Sequence, residues 1–173
     1  MGSWPYGYGD LLGKGRLKIV NHRKHSTFLI RNAENTRVVG TTVINRAFGH
    51  SFFIQGESPD TLLKDCYAEG EVRSTDEMLA ETSGPAYEKD FASVYKNREG
   101  EKKIMPGYMK SLNECGFRTY GGMRNLRVIN CHAKNVRVGF ALAMGGDNMP
   151  EITGSTAEGC ERGYFVNNAV IRD

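Results

Sequence analysis

Residues 125–144, NLRVINCHAKNVRVGFALAM, decide the fold, because pieces of this stretch return along the whole chain. Asn130-Cys131-His132-Ala133 lines up with Asp65-Cys66-Tyr67-Ala68 and with Gly154-Ser155-Thr156-Ala157, and Thr41-Thr42-Val43-Ile44 fills the same slots upstream. Further along each unit, Val138-Gly139-Phe140 matches Arg162-Gly163-Tyr164, His50-Ser51-Phe52, His25-Ser26-Thr27 and Arg73-Ser74-Thr75. The middle residues of these triplets are spaced 25 (26 to 51), 23 (51 to 74) and 24 (139 to 163). Only the step of 65 from Ser74 to Gly139 breaks the rhythm, as one period of 24 and 41 inserted residues would. A period in the twenties marks a solenoid, in which each unit buries its apolar face against its neighbours.

The units are built of short runs rich in Val, Ile, Thr and Phe: Leu17–Val20, Ser26–Ile30, Thr36–Val39, Thr41–Ile44 and Ser51–Ile54. Runs of this length and composition are strands, and none holds the 3.6-residue apolar period of a helix. Asn21, Asn35, Asn45, Asn130 and Asn135 punctuate them, and asparagine tolerates the left-handed backbone of a tight corner. With two or three strands per unit, each stacks in parallel on its copy one turn later. The expected fold is an all-β, parallel β-helix of about five to six coils, one domain over residues 1–173.

Residues 79–122 depart from the pattern and read as an insertion between coils. They carry Gly84-Pro85, Pro106-Gly107 and the charged run Lys96–Lys103, and Asp90–Lys96 is a candidate short helix. Trp4–Gly15, aromatic and glycine-rich, reads as a loop or cap. Val170-Ile171-Arg172-Asp173 restarts the repeat in the register of Leu62-Leu63-Lys64-Asp65. The chain is therefore expected to be a piece of a longer solenoid, whose further coils, or another chain, cover the open ends.

A net charge of +3 and a pI near 8.7 suit an anionic partner without the dense basic patch of a dedicated nucleic-acid binder. Mean hydropathy is −0.47, and no apolar run approaches the length of a membrane span. Met1-Gly2-Ser3 reads as a cloning remnant, so a natural leader could have been removed.

The Gly-aromatic-x-apolar strands (Gly139-Phe-Ala-Leu142, Gly163-Tyr-Phe-Val166) and the Asn-x-x-Val-x-Asn-Cys corner at 125–131 resemble the right-handed parallel β-helix superfamily, the pectin-lyase-like group. The resemblance covers most of the chain outside residues 79–122. It implies a right-handed solenoid and a carbohydrate-active or carbohydrate-binding protein. The group includes polysaccharide lyases, glycoside hydrolases, sugar epimerases, phage tailspikes and non-catalytic adhesins, so the fold does not choose among them. Members that act on polysaccharides commonly use the outer face of the strand that here runs through Gly139–Met144 and its copies.

Strand alternation points Phe52, Ile54, Phe140, Leu142, Tyr164 and Val166 inward. Phe28, Phe53, Ala141 and Phe165 are then expected outward, with Ile30, Gln55, Ala143 and Asn167 two residues on. Exposed phenylalanines in a ladder suit stacking on sugar rings. Before each such strand stand His25, His50, Arg73, Val138 and Arg162, a column of mostly basic residues about 4.8 Å apart along the groove.

An acidic glycan carries a carboxylate on each uronate. Abstracting the neighbouring proton needs a cation to neutralise that carboxylate and a base with a usable pKa. His50 as base and Arg73 as neutraliser are the expected catalytic pair. Tyr108 and Lys110 join the substrate-binding set if the insertion folds over the groove, and Asp76 and Glu77, with Glu69 or Glu71, are candidate calcium ligands.

The four cysteines lack metal spacing; Cys66 and Cys131 share one repeat slot and are expected as stacked, reduced thiols. His22 and His132 belong to no motif and read as surface residues.

The expected function is that of an extracellular or periplasmic polysaccharide lyase acting by β-elimination on an acidic, uronate-containing glycan. The alternatives are a non-catalytic glycan-binding or structural β-helix, and an epimerase or hydrolase on the same groove.

Overall fold

The computed structural model describes residues 17–22, 26–46, 49–72, 94–96, 98–104, 113–121, 123–142, 149–166 and 169–173. In chain order the strands are β1 (Lys18–Asn21), β2 (Phe28–Arg31), β3 (Arg37–Val39), β4 (Thr42–Asn45), β5 (Gly49–Gln55), β6 (Leu62–Lys64), β7 (Tyr67–Gly70), β8 (Val94–Lys96) and β9 (Lys102–Ile104). There follow β10 (Asn113–Tyr120), β11 (Arg127–Ile129), β12 (His132–Lys134), β13 (Val138–Ala141), β14 (Glu151–Thr153), β15 (Thr156–Glu158), β16 (Arg162–Tyr164) and β17 (Val170–Arg172). There is no helix among the described residues.

Fifteen of these strands form three parallel sheets of five, with orders β1-β4-β7-β12-β15, β2-β5-β10-β13-β16 and β3-β6-β11-β14-β17. The chain visits the three sheets in rotation, and each strand lies beside the strand reached one turn later. This arrangement is consistent with a parallel β-helix. Every ladder of these three sheets is therefore long-range, so their corners must hold register without help from hairpins.

They do so with left-handed residues stacked on one another. Asp65, Asn130 and Gly154 share one corner with φ of 53°, 50° and 56°, and Asn135 and Gly159 share another with 54° and 60°. Asparagine, aspartate and glycine accept this backbone at least cost. Asn35, Asn130 and Asn135 thus sit at corners as expected. Asn21 and Asn45 instead end β1 and β4, where Asn21 Nδ2 donates to Asn45 Oδ1 at 3.2 Å.

The core is a set of in-register columns. Phe28, Phe52, Phe117, Phe140 and Tyr164 follow one another down the second sheet with centroid spacings of 5.7, 4.8, 4.8 and 5.1 Å. Rings left to themselves prefer offset or edge-on contact. Here the spacing between strands, about 4.8 Å, imposes the stack. In the first sheet Ala68 and Ala133 are fully buried beside Gly116 and Gly139. A Cβ on Gly139 would lie 2.6 Å from the carbonyl oxygen of Gly163 and 2.9 Å from Ala157 Cβ. At Gly116 and Gly139, before Phe117 and Phe140, two sheets converge too closely for a side chain.

Cys66, Cys131 and Ser155 stack at the corner between third and first sheets. Cys66 Sγ donates to Lys64 O at 3.3 Å, Cys131 Sγ to Ile129 O at 3.4 Å and Ser155 Oγ to Thr153 O at 3.2 Å. Both thiols are free and buried, on neighbouring strands.

Three expectations need correction. The strand between β5 and β13 is β10, residues 113–120, so this part of the expected insertion (79–122) belongs to the coils and the excursion lies between Gly70 and Asn113. Phe52 and Phe117 stand 65 residues apart and Phe117 and Phe140 23 apart, so the extra residues precede this strand. Val94–Lys96 is not helical: β8 pairs antiparallel with β9, with Gly100 at φ 82° in the connection. Phe28 and Ile30, expected outward, face the core, because Phe28 pairs with Phe52 and Ile30 with Ile54. Burying them leaves Leu29 outside, one position off the expected register.

Candidate functional site

With Phe52, Phe117 and Phe140 inward, alternation turns Phe53, Arg118 and Ala141 outward, and the register aligns them across β5, β10 and β13. Leu29 precedes Phe53 in this column, and Phe165, whose N–H bonds Phe140 O, follows Ala141. The outer column therefore reads Leu29, Phe53, Arg118, Ala141, Phe165, with Ala141 covered at 1 % exposure. A cation stands in the middle of the expected aromatic ladder. Beside it Tyr120, half-exposed on β10, meets Phe53 edge-on at 5.5 Å and carries the Arg118 guanidinium 4.1 Å above its ring. At the far end Arg162 lies 5.9 Å over the Phe165 ring. Arginine and aromatic side chains hold one another out of rotamer disorder in such pairs.

The column expected to be basic takes a different composition. Cys115 fills the slot between His50 and Val138. Continuing the register of β2 on β5 puts Ser26, not His25, opposite His50. Arg73 therefore does not hold the slot next to His50. His25, Arg73, Asp76, Glu77, Tyr108 and Lys110 all lie outside the described residues. Of the expected site, the structure brings Phe53 to His50 and Phe165 to Arg162.

Around His50 the geometry is tight. His50 as a residue is 8 % exposed, its ring packs on Phe53 at 4.9 Å, and Nε2 lies 3.8 Å from Glu114 Oε2. Burial, and next the positive charge of Arg118, lower its pKa from 6.5 to about 4, so the imidazole is neutral at ordinary pH. Glu114 is the extra residue of a β-bulge: Asn113 pairs with Gly49 and Cys115 with His50, leaving Glu114 without an opposite number. Bulges re-aim side chains. Asn113 braces this one, its Nδ2 donating to Ser51 Oγ at 2.8 Å in the interior. The Cys115 thiol is pushed up to about 12 by burial and then by Glu114, against the pull of Arg118 and Arg137.

Glu114, Arg118 and Tyr120 were absent from the expected site because they lay inside the supposed insertion. Their signal was present: Cys115-Gly116-Phe117 repeats Val138-Gly139-Phe140 more closely than Arg73-Ser74-Thr75 does.

On the first sheet His132 is a partly exposed residue, as expected, but it has partners. It stacks on Tyr67 at 5.4 Å, its Nδ1 is 2.6 Å from Thr156 Oγ1 and its Nε2 3.6 Å from Glu158. Tyr67 donates to Glu69 at 2.7 Å, which engages one candidate calcium ligand. Among the described residues no group of three or more His, Cys, Asp or Glu side chains could hold a metal ion.

No protein family and no curated protein matches this chain.

Proposed function

We propose that the chain is a carbohydrate-active, right-handed β-helix of the pectin-lyase-like kind, which receives an acidic glycan on the outer face of the second sheet and cleaves it by β-elimination. The observation that carries this reading is the patch where Phe53, Tyr120 and Arg118 adjoin the His50–Glu114 pair. The aromatic residues offer apolar surface to a sugar ring. Arg118 takes the place assigned to Arg73 as the cation that offsets the uronate carboxylate while the neighbouring proton leaves. The base comes from the His50–Glu114 pair. Calcium, if used, draws on Asp76 and Glu77. An extracellular or periplasmic setting goes with a polysaccharide substrate.

A second reading, a glycan-binding module without turnover, is favoured by the 8 % exposure of His50, which keeps that ring from direct contact with a polymer. One assay separates the two. β-Elimination creates a C=C bond conjugated to the carboxylate, which absorbs in the near ultraviolet. Incubation with a panel of uronate-rich polysaccharides should raise that absorbance for at least one. Binding without any rise leaves the module; neither binding nor a rise ends both readings.

A further inference from the structure

We infer that Glu114 is the group that takes the substrate's proton, and that His50 is its positioning residue. This rests on the β-elimination reading above and assigns the roles within it. Neither nitrogen of His50 is open to a substrate. Nε2 faces Glu114 Oε2, and Nδ1 is buried with no hydrogen-bond partner among the described residues. The Glu114 side chain is 35 % exposed against 10 % for His50, so the carboxylate stands between the imidazole and the solvent. Its placement is built rather than incidental. A regular β10 would have no residue 114 at this point, and the bulge that creates it is held by the buried Asn113–Ser51 hydrogen bond.

The chemistry follows from the protonation states. His50 stays neutral because burial and Arg118 depress its pKa, so it carries one ring proton. With that proton on Nε2, the ring points a donor at Oε2, 3.8 Å away, the kind of long contact that substrate binding tightens in catalytic sites. Oε2 is then engaged, and Oε1 is the oxygen left for the substrate. Glu114 Oε2 faces His50 from β5, and the neighbouring Cys115 thiol on β10 feels the charges of Glu114, Arg118 and Arg137.

In the reaction Glu114 Oε1 takes the proton on the carbon next to the uronate carboxylate. The C–H pair becomes the new C=C bond, the glycosidic C–O bond breaks, and the leaving oxygen takes a proton from water. Arg118 supplies the positive charge that the dianionic transition state needs.

The test measures turnover by near-ultraviolet absorbance and binding of an acidic oligosaccharide by calorimetry, for parent, Glu114→Gln, Glu114→Asp, His50→Gln and His50→Phe. Removing a general base costs roughly 10²–10⁴-fold in rate. Glu114→Gln should therefore lose at least about a hundredfold in kcat with binding changed less than about threefold. Glu114→Asp should recover part of the loss, which a merely misfolded site would not. His50→Gln keeps a donor toward Oε2 and should stay within about tenfold of the parent, with the acid limb of its pH profile retained, while His50→Phe falls further. Turnover by Glu114→Gln at the parent's rate, or equal loss in His50→Gln and Glu114→Gln, overturns the assignment to Glu114 alone. A parent that binds acidic oligosaccharide without turnover, or binds none, overturns the β-elimination reading beneath it.

Discussion

Phe52 and Phe117, 65 residues apart in the chain, lie face to face with ring planes 2° from parallel and centroids 4.8 Å apart. The stack lies where β5, before the long excursion, pairs with β10, after it. Phe117 is fully buried and stacks on Phe140 as well. Phe117→Ala should destabilise the fold by about 3–5 kcal/mol, from lost burial and the cavity left in the column. Denaturant unfolding reads the change; a cost under about 1 kcal/mol would mean that the column is not continuous.

Gly139 tests the convergence of two sheets. An added methyl meets the Gly163 carbonyl and two alanines, backbone and short side chains that have no rotamer to give. Gly139→Ala should cost about 1–3 kcal/mol by overpacking. A neutral result in the same denaturation experiment would show that the corner is looser than described.

The thiols should react in order of burial. Cys160, half-buried, should be labelled first in the native protein, and Cys66, Cys115 and Cys131 only on unfolding. Burial pushes Cys115 up to about 12, so its thiolate is scarce even where reagent reaches it. Mass spectrometry of labelled peptides reads the order. Quick modification of Cys66 or Cys131, or a disulfide between them, contradicts the stacked column.

His50 should leave a mark on acid stability. Its folded pKa is about 4 against an ordinary 6.5, so between these values the unfolded chain binds a proton that the folded chain refuses. Stability therefore falls as pH drops through that window, by at most about 3 kcal/mol, and the term is flat above it. His50→Gln should remove this part of the slope, seen as the difference between parent and variant unfolding curves from pH 7 to 4. Identical slopes would place His50 in water.

How much of this was legible in the sequence differs between core and face. The columns of Phe52, Phe140 and Tyr164 and of Cys66 and Cys131 follow from repetition alone, because a slot that must face the core admits few residue types. The outer face has no such constraint. Phe28 looked like an outer residue only because His25-Ser-Thr imitates His50-Ser-Phe, and a slip of one residue turns a strand over. Arg118 and Glu114 were hidden for a related reason. Arg73-Ser-Thr imitates the third copy at the right spacing, which leaves the true copy at Cys115-Gly-Phe inside the expected loop. A bulge such as that at Glu114 breaks the period of two and cannot be read from pattern.

The central claim, that an acidic glycan lies on the outer face of the second sheet, is tested most directly by titrating a uronate-rich oligosaccharide into the parent and Arg118→Ala proteins at two salt concentrations. Arg118 sits half-buried between Phe53 and Ala141, stacked on Tyr120, and its charge is the one a bound carboxylate would meet there. The account predicts saturable binding by the parent, weaker at higher salt, and a loss of about tenfold or more in Arg118→Ala, as for a charge-assisted hydrogen bond. Parent and variant binding alike, or parent binding indifferent to salt, would contradict it.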